Sequence, residues 1–409
     1  GLALGLPATR TVYAGNPTEE DTSEILSYNP DMEYRRCGKT NLMVSSVCLG
    51  GHWKRIDKVL PNKPGGQGWL RWGSGDPAFD ENRREVVSRC IDRGINYIDA
   101  CWSNEVIAYS KALKGRRDKM YLGFSWYQEE MRSLSRQWFK AEKAGRPKPP
   151  GWITQKLKDA LNHGLQQTDL DYVDIWRITC LEMSSEHADV QMEEMLEALR
   201  WAKKTGKARF TGISSHDRPH IKKWIEYAPD DLEVICTPYT AKTRLAGAKI
   251  EAAEEGNAAR IVRTKGDRWE DSLWYAMHKH NVAWFGIKPY ASGSVFKGNG
   301  ALDSPHTKED HKIARLTIRA ILTNPVITAP IPGMALSKAS AVIVIPSDSP
   351  AFQTPVMIRA RAVMVQTIMV STTGPSMATS PSLTGSLVLA APCAMGAVPM
   401  PASLEKAAR

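Results

Sequence analysis

Three features that would assign the chain to other classes of protein are missing from its sequence. No uninterrupted apolar run reaches the ~20 residues that a membrane-spanning helix needs. The seven cysteines show no C-x-x-C spacing, so buried free thiols are expected and no metal site is predicted. The net charge of +10 is scattered among acidic residues, which argues against a nucleic-acid partner. These absences leave an ordinary globular protein, with no membrane or nucleic acid as partner.

The first 32 residues have few of the patterns of a folded domain. Residues 1–14 are largely apolar and look like the second half of an export signal that is cleaved just before Gly15; a flexible leader is the alternative. Residues 15–32 are polar and acidic, and they are predicted to be a linker. A signal would imply export to the periplasm, whereas a flexible leader would leave the protein in the cytoplasm.

Charge almost disappears near the other end of the sequence. Between residues 339 and 404 only Asp348, Arg359 and Arg361 are charged, while Ser, Thr, Pro, Ala, Val and Met dominate. No amphipathic helical period survives there, although a barrel normally ends in a charged amphipathic helix. Residues 339–409 are therefore predicted to be either a low-complexity extension or the product of a reading-frame error in the gene.

Between these ends, short runs rich in β-branched and aromatic residues alternate with amphipathic helical patterns. This alternation is typical of repeated βα units, and the chain is long enough for one barrel of about 250 to 300 residues. The sequence therefore predicts an α/β fold, a (β/α)8 TIM barrel over residues 33–338, with its chemistry at the carboxyl ends of the strands. The eight predicted strands are 44–51, 96–101, 120–126, 172–178, 208–215, 233–239, 281–290 and 326–333.

A more specific signal comes from short motifs that occur in a fixed order. They are YRRCGKT at 34–40 leading to LGG at 49–51, GINYID at 94–99, GKARFTGIS at 206–214 and IPG at 331–333. In this order and spacing they resemble the aldo/keto reductase family. The resemblance covers the chain from about residue 33 to residue 334, and it implies the same barrel.

The resemblance also implies a reaction, the transfer of hydride between a nicotinamide cofactor, NADP or NAD, and the carbonyl of a small-molecule substrate. The family's usual active site is an Asp, Tyr, Lys and His at successive strand ends, where the Tyr donates a proton. In this chain Asp99 keeps the Asp, but the other three positions fall on Asn104, Ser125 and Thr179. Neither Asn104 nor Thr179 can transfer a proton near neutral pH. The tetrad is therefore expected to be degenerate.

Asp99, Arg177, His216 and Lys288 are the candidate catalytic residues in place of that tetrad. Strand alternation places Arg177 in the barrel mouth, where it is expected to pair with Asp99, either for catalysis or for structure alone. His216 would titrate usefully if desolvated, and the alternative is an exposed, inert position at the start of a helix. Lys288 ends an otherwise apolar strand and must therefore face water, a carboxylate or a phosphate.

The positions that contact the cofactor in the family are better preserved than the catalytic ones. Ser214 and Ser215 match the residues that hold the carboxamide, and Tyr239 matches the aromatic residue that stacks on the nicotinamide. Beyond the IPG motif, only Lys338 matches a basic residue that binds the 2′-phosphate of NADP in the family. The sequence therefore predicts NADP or NAD as cofactor and does not choose between them. The remaining predicted cofactor contacts are Lys288, Pro289, Ser292, Gly293 and Gly333.

Two functions follow from these residues. The first is an oxidoreductase that acts on a polar carbonyl or a sugar-like substrate, with acid–base groups in a changed arrangement. The second is a catalytically degenerate barrel that binds a ligand without turning it over. The fold alone cannot separate them.

Overall fold

The computed structural model of the chain describes residues 22–53, 56–60, 75–240, 248–251, 260–263, 272–298, 304–324 and 326–334, with the backbone alone at 248–251 and 260–263. The predicted leader, the first part of the linker and the predicted tail lie outside these residues. The proposed boundaries of the barrel domain, 33 and 338, stay a prediction.

A β-hairpin precedes the barrel and covers one of its ends. Its strands β1 (Tyr34–Arg36) and β2 (Met43–Ser45) pair antiparallel. Apolar side chains of the hairpin pack with residues from inside the barrel, so the hairpin closes the floor. The first predicted strand, 44–51, was too long, because the chain leaves the hairpin at Ser45 and joins the barrel only at Leu49.

Eight parallel strands form the barrel sheet, and they coincide with the eight runs predicted from the sequence. Each strand is paired with its neighbour in chain order. The strands are β3 (Leu49–Gly50), β4 (Tyr97–Ala100), β5 (Tyr121–Phe124), β6 (Val173–Thr179), β7 (Ala208–Ser214), β8 (Val234–Pro238), β11 (Ala283–Ile287) and β12 (Ala329–Pro330). Between β8 and β11 in the chain there is a separate antiparallel pair, formed by β9 (Ala248–Glu251) and β10 (Arg260–Arg263).

Two glycines let the last strand meet the first. A parallel bridge joins Gly50 to Gly333, and the amide of Gly50 donates to the carbonyl oxygen of Pro332 at 2.9 Å. A Cβ atom on Gly333 would lie 2.5 Å from the carbonyl oxygen of Gly51, a distance that no side chain can occupy. This contact completes the ring, which confirms the predicted (β/α)8 barrel.

Helices connect the strands and pack around the outside of the sheet. Two of them begin with an aspartate cap, since Asp76 accepts from the amide of Phe79 and Asp217 accepts from the amide of His220. None of the described helices is long and apolar enough to span a bilayer. The helices are α1 (Pro77–Asp92), α2 (Ser103–Ala112), α3 (Met131–Lys143), α4 (Trp152–Thr168), α5 (Asp189–Lys204), α6 (Arg218–Tyr227), α7 (Leu273–Lys279) and α8 (Thr307–Leu322).

The core has an inner layer within the barrel and an outer layer between sheet and helices. In the inner layer the rings of Tyr97 and Phe285 stack with centroids 4.4 Å apart. Because side chains alternate along a strand, Asp99 lies on the same side as Tyr97, and Arg177 on the same side as Ile175. The two charged residues therefore point into the barrel above an apolar filling, at the carboxyl ends of their strands.

Candidate active site

Asp99 and Arg177 form a bidentate ion pair at the barrel mouth. The guanidinium Nε and Nη2 each lie 2.6 Å from one carboxylate oxygen of Asp99, and the two side chains are 8% and 3% exposed. Burial alone would lower the pKa of Arg177, but the Asp99 carboxylate outweighs it, and the pKa lies well above its usual value. The pairing predicted from strand alternation is confirmed; the catalytic role of the pair stays a prediction.

A third buried ionisable residue, Glu130, lies beside the positions where the family has Lys and His. Ser125 and Thr179 occupy these positions and share a hydrogen bond of 2.8 Å. The Ser125 hydroxyl donates to Glu130, as do the amide of Thr179 at 2.9 Å, the amide of Trp126 at 2.7 Å and the indole of Trp176 at 3.1 Å. Burial raises the pKa of Glu130, while these donors oppose the rise. Glu130 is thus held by neutral donors.

Arg177 connects these two carboxylates. Its Nη1 atom donates to the Thr179 hydroxyl at 3.3 Å, and Thr179 in turn contacts Ser125. A continuous chain of hydrogen bonds therefore runs from Asp99 to Glu130 across the ends of β4, β5 and β6. Arg177, at the end of β6, is thereby linked through Thr179 to Ser125, the position where the family has its lysine.

His216 lies across the mouth from this chain, after β7. It is 9% exposed, and its amide donates to the carbonyl oxygen of Glu182 at 2.8 Å. The alternative of an exposed position at a helix start is therefore wrong. Burial, together with the positive charges of Lys288 and Arg132, lowers the pKa of His216 to about 3. His216 is consequently neutral at physiological pH, and its role in catalysis stays a prediction, as does that of Lys288.

Tyr127 and Arg132 are two residues of the mouth that the sequence analysis missed. Arg132 Nη1 donates to the Tyr127 hydroxyl, and its guanidinium carbon lies 5.6 Å from the centre of the ring. The amide of Tyr127 donates to the carbonyl oxygen of Cys101 at 3.2 Å, which fixes the tyrosine beside β4. Burial raises the pKa of Tyr127, while the Arg132 cation and its hydrogen bond oppose the rise.

The loop that follows β11 has an unusual backbone. Lys288, Ala291 and Ser292 adopt left-handed conformations, with φ of 57°, 47° and 58°, and Gly293 has φ of 91°. For residues with a side chain this region is costly, and such conformations concentrate at functional sites. Pro289 is buried, whereas Ser292 is exposed. The loop therefore presents an ammonium group and a hydroxyl on a strained backbone.

Ser214 and Ser215 differ in what they contact. Ser214 ends β7 and is 8% exposed. Ser215 turns towards the loop that follows β6, where its hydroxyl donates to the carbonyl oxygen of Glu182 at 3.0 Å and lies 2.9 Å from Ser184 Oγ. Ser215 thus positions the loop beside His216, and its predicted contact with a carboxamide stays a prediction, as does that of Ser214.

Tyr239 belongs to the outer layer of the core. It is fully buried, its ring lies 5.3 Å from that of Trp284, and its hydroxyl accepts from Asn324 Nδ2 at 3.1 Å. This enclosure gives no support to the predicted stacking on nicotinamide, which stays a prediction. Gly333 closes the ring, as described above, and its predicted contact with a cofactor is equally untested.

Comparison with known proteins agrees with this geometry. The model of the aldo/keto reductase family matches residues 66–328, well over half of the chain; the chain belongs to this family. It is 24% identical over 195 residues to the L-glyceraldehyde 3-phosphate reductase of Escherichia coli (strain K12), which covers 48% of this chain and 49% of that enzyme. The chain therefore spans about half the length of the curated relatives it matches.

A solved structure supports the fold over a longer stretch. An aldo-keto reductase from Bacillus halodurans, in its holo form, superposes with a TM-score of 0.50 at 18% sequence identity. The match covers 82% of this chain and 96% of that one. It confirms the barrel, and the family match confirms the resemblance read from the motifs.

Proposed function

We propose that the protein is an oxidoreductase that transfers hydride between NADP or NAD and a polar carbonyl or sugar-like substrate. The observation that carries this proposal is the buried Asp99–Arg177 pair, which points into the mouth of the family's barrel. In the family an Asp and a cation lower the pKa of the proton donor. Here the Asp keeps its place and the cation has moved to the neighbouring strand.

The residues proposed to hold the cofactor are those on the β7 and β11 side of the mouth. Lys288 supplies a fixed cation for a pyrophosphate, and the strained loop with Ser292 and Gly293 lies next to it. When bound, the nicotinamide supplies the hydride. The choice between NADP and NAD stays open in this proposal, because Lys338 lies outside the described residues.

Tyr127 is proposed as the proton donor. Arg177 cannot serve because a guanidinium does not lose its proton in proteins, and His216 is already neutral. The Tyr127 phenol instead carries a proton at neutral pH, and Arg132 donates a hydrogen bond to its oxygen. That cation stabilises the phenolate left behind when the proton moves to the developing alkoxide. Neutral His216 is suited to orienting the carbonyl through a hydrogen bond.

A barrel that only binds a ligand is the alternative, and Ser125 and Thr179 at the Lys and His positions are its support. Membership of the aldo/keto reductase family does not favour it. The Escherichia coli relative is named for the reduction of L-glyceraldehyde 3-phosphate, so a panel of test substrates should begin with that aldehyde and extend to unphosphorylated sugars and simple aldehydes.

The Tyr127→Phe variant tests this proposal. Loss of a general acid typically reduces turnover by about 10²–10⁴-fold, so kcat should fall by this factor while NADPH and NADH still quench tryptophan emission with wild-type affinity. Tyr172→Phe is the matched control, because Tyr172 is 40% exposed and also lies against an arginine, with Arg117 5.5 Å from its ring. An unchanged kcat in Tyr127→Phe would reject the donor. A wild-type protein that binds neither dinucleotide would reject the oxidoreductase.

A further inference from the structure

Three side chains with the chemistry of metal ligands meet at the ends of β3 and β4. His52 Nδ1 lies 2.8 Å from Glu105 Oε1 and 3.8 Å from Cys101 Sγ. One ligand atom from each of the three residues can be chosen so that all lie within 4.8 Å of one another. No other group of this kind occurs in the described part of the chain.

We propose that His52, Cys101 and Glu105 bind a Zn²⁺ ion, with a fourth position open to water or to an oxygen atom of a ligand. Zinc bond lengths of about 2.0–2.3 Å in a tetrahedron place ligand atoms roughly 3.3–3.7 Å apart. The sulfur-to-nitrogen distance of 3.8 Å is already close to this range. The nitrogen-to-oxygen distance of 2.8 Å must open slightly, which requires a small shift of the His52 side chain, itself 50% exposed.

The donor set favours zinc over the hard divalent ions. A thiolate and an imidazole select Zn²⁺ over Mg²⁺ or Ca²⁺, which prefer oxygen ligands. Cys101 and Glu105 together carry two negative charges when ionised, which neutralise the ion. Three protein ligands and one open position are typical of catalytic zinc sites, whereas structural sites are usually closed by four.

Binding must displace a proton from the thiol. Zinc binds cysteine as the thiolate, so the thiol of Cys101 must give up its proton when the metal arrives. The S–H bond breaks, its proton leaves to solvent, and a sulfur–zinc bond forms in its place. Zinc affinity should therefore rise with pH, and binding should release about one proton per ion.

Glu105 also has a structural role that needs no metal. Its Oε2 atom accepts from the amide of Cys101 at 2.9 Å and from that of Trp102 at 3.3 Å, which caps the start of α2. Each carboxylate oxygen has two lone pairs, so the cap and a metal bond can coexist. The cap requires neither the imidazole of His52 nor the thiol of Cys101. Substitution of these two residues therefore separates the metal site from the cap.

The test uses the full chain and two metals as probes. Zn²⁺ is titrated in competition with a chromophoric chelator, and Co²⁺ is titrated while the thiolate-to-cobalt charge-transfer band is followed. One ion should bind per chain, with the cobalt band present. Cys101→Ser and His52→Asn should each weaken Zn²⁺ binding by at least about a hundredfold, the upper end of the loss seen when only an outer-shell partner of a metal is removed. Asn suits position 52 because it tolerates the left-handed backbone there, with φ of 60°.

His163→Ala is the matched control, because His163 Nδ1 also lies 2.9 Å from a carboxylate oxygen, that of Glu129. This variant should bind both ions as the wild type does. Absence of Zn²⁺ binding in the wild type, or binding that neither substitution at positions 52 and 101 weakens, would overturn the site. Dinucleotide binding, measured by tryptophan quenching on the same samples, reports separately on the proposed oxidoreductase.

Discussion

The two sides of the barrel mouth hold their charged groups in opposite ways. On the side of β4 to β6, the negative groups Asp99 and Glu130 are each enclosed by donors within the protein. On the side of β7 to β11, burial and the cations Lys288 and Arg132 keep the imidazole of His216 neutral, although a carboxylate oxygen of Glu182 lies 4.0 Å from its Nδ1. The first side balances its charge internally. The second holds a neutral imidazole beside cations.

Because of this difference, substitutions on the two sides should affect different properties, the stability of the fold on one side and ligand affinity on the other. Removing one partner of a buried ion pair leaves an uncompensated charge, and this destabilises the folded state. A cation at the edge of a cleft costs little to remove from the folded state, but an anionic ligand loses a charge-assisted contact. Substitutions on the first side should therefore alter unfolding, and substitutions on the second side should alter dinucleotide affinity.

The largest effect is expected for Arg177→Met, which leaves the Asp99 carboxylate buried without its cation. Its free energy of unfolding should fall by about 3–5 kcal/mol in denaturant titrations. Adding Asp99→Asn should recover much of that loss, because the orphaned charge is removed with it. Additive losses in the double variant would show that the pair is not coupled, and the contrast between the two sides would disappear.

Lys288→Met should have a smaller effect, and on affinity instead of unfolding. Removal of a charge-assisted hydrogen bond is worth about 1.5–3 kcal/mol, so NADPH or NADH affinity should fall roughly ten- to a hundredfold while the unfolding midpoint stays unchanged. Lys222→Met, which removes a surface lysine paired with Glu226 at 2.8 Å, is the control and should change neither quantity. If Lys288→Met binds dinucleotide as tightly as the wild type, the phosphate role is wrong.

The smallest effect concerns acid stability. The pKa of His216 is about 3 in the folded protein and about 6.5 when unfolded, so its contribution to stability is full above pH 6.5 and is lost as the pH falls. One pH unit below the unfolded value this loss is about 1 kcal/mol. His216→Gln should flatten the acid limb of a plot of unfolding free energy against pH, whereas His163→Gln, at a half-exposed histidine, should leave it unchanged. A slope identical to that of the wild type would contradict the neutral, buried state of His216.

Strand periodicity explains why so much of the barrel could be predicted from the sequence. The eight runs were found because buried parallel strands are continuously apolar, and alternation along β6 was enough to place Arg177 beside Asp99. Tyr239 was assigned from the resemblance and not from periodicity; it stands one residue beyond β8 and faces the outer layer, and its stacking on nicotinamide stays a prediction. A motif match fixes a position in the chain, but it does not fix the direction of the side chain.

Other site residues could not be found from periodicity or spacing. Tyr127 and Glu130 lie in the turn between β5 and α3, where no regular pattern exists to mark a side chain as buried. Cys101 was expected to be a buried thiol like the rest, but it is partly exposed and close to His52. No metal site was expected because the cysteines lack the short C-x-x-C spacing of common zinc sites. The residues proposed to bind zinc come from two separate strand ends, and such a set cannot be found from cysteine spacing.

The meeting of Gly50 and Gly333 also dictates an order of events during folding. The first strand of the ring can find its final partner only after the last strand has been synthesised, since a chain leaves the ribosome from its N-terminus. Until then β3 is an open edge with unpaired backbone groups. Contacts between such distant parts of a chain are slow to form because a large loop must close. Ring closure is therefore expected to be a late step, and a growing chain must protect that edge until it occurs.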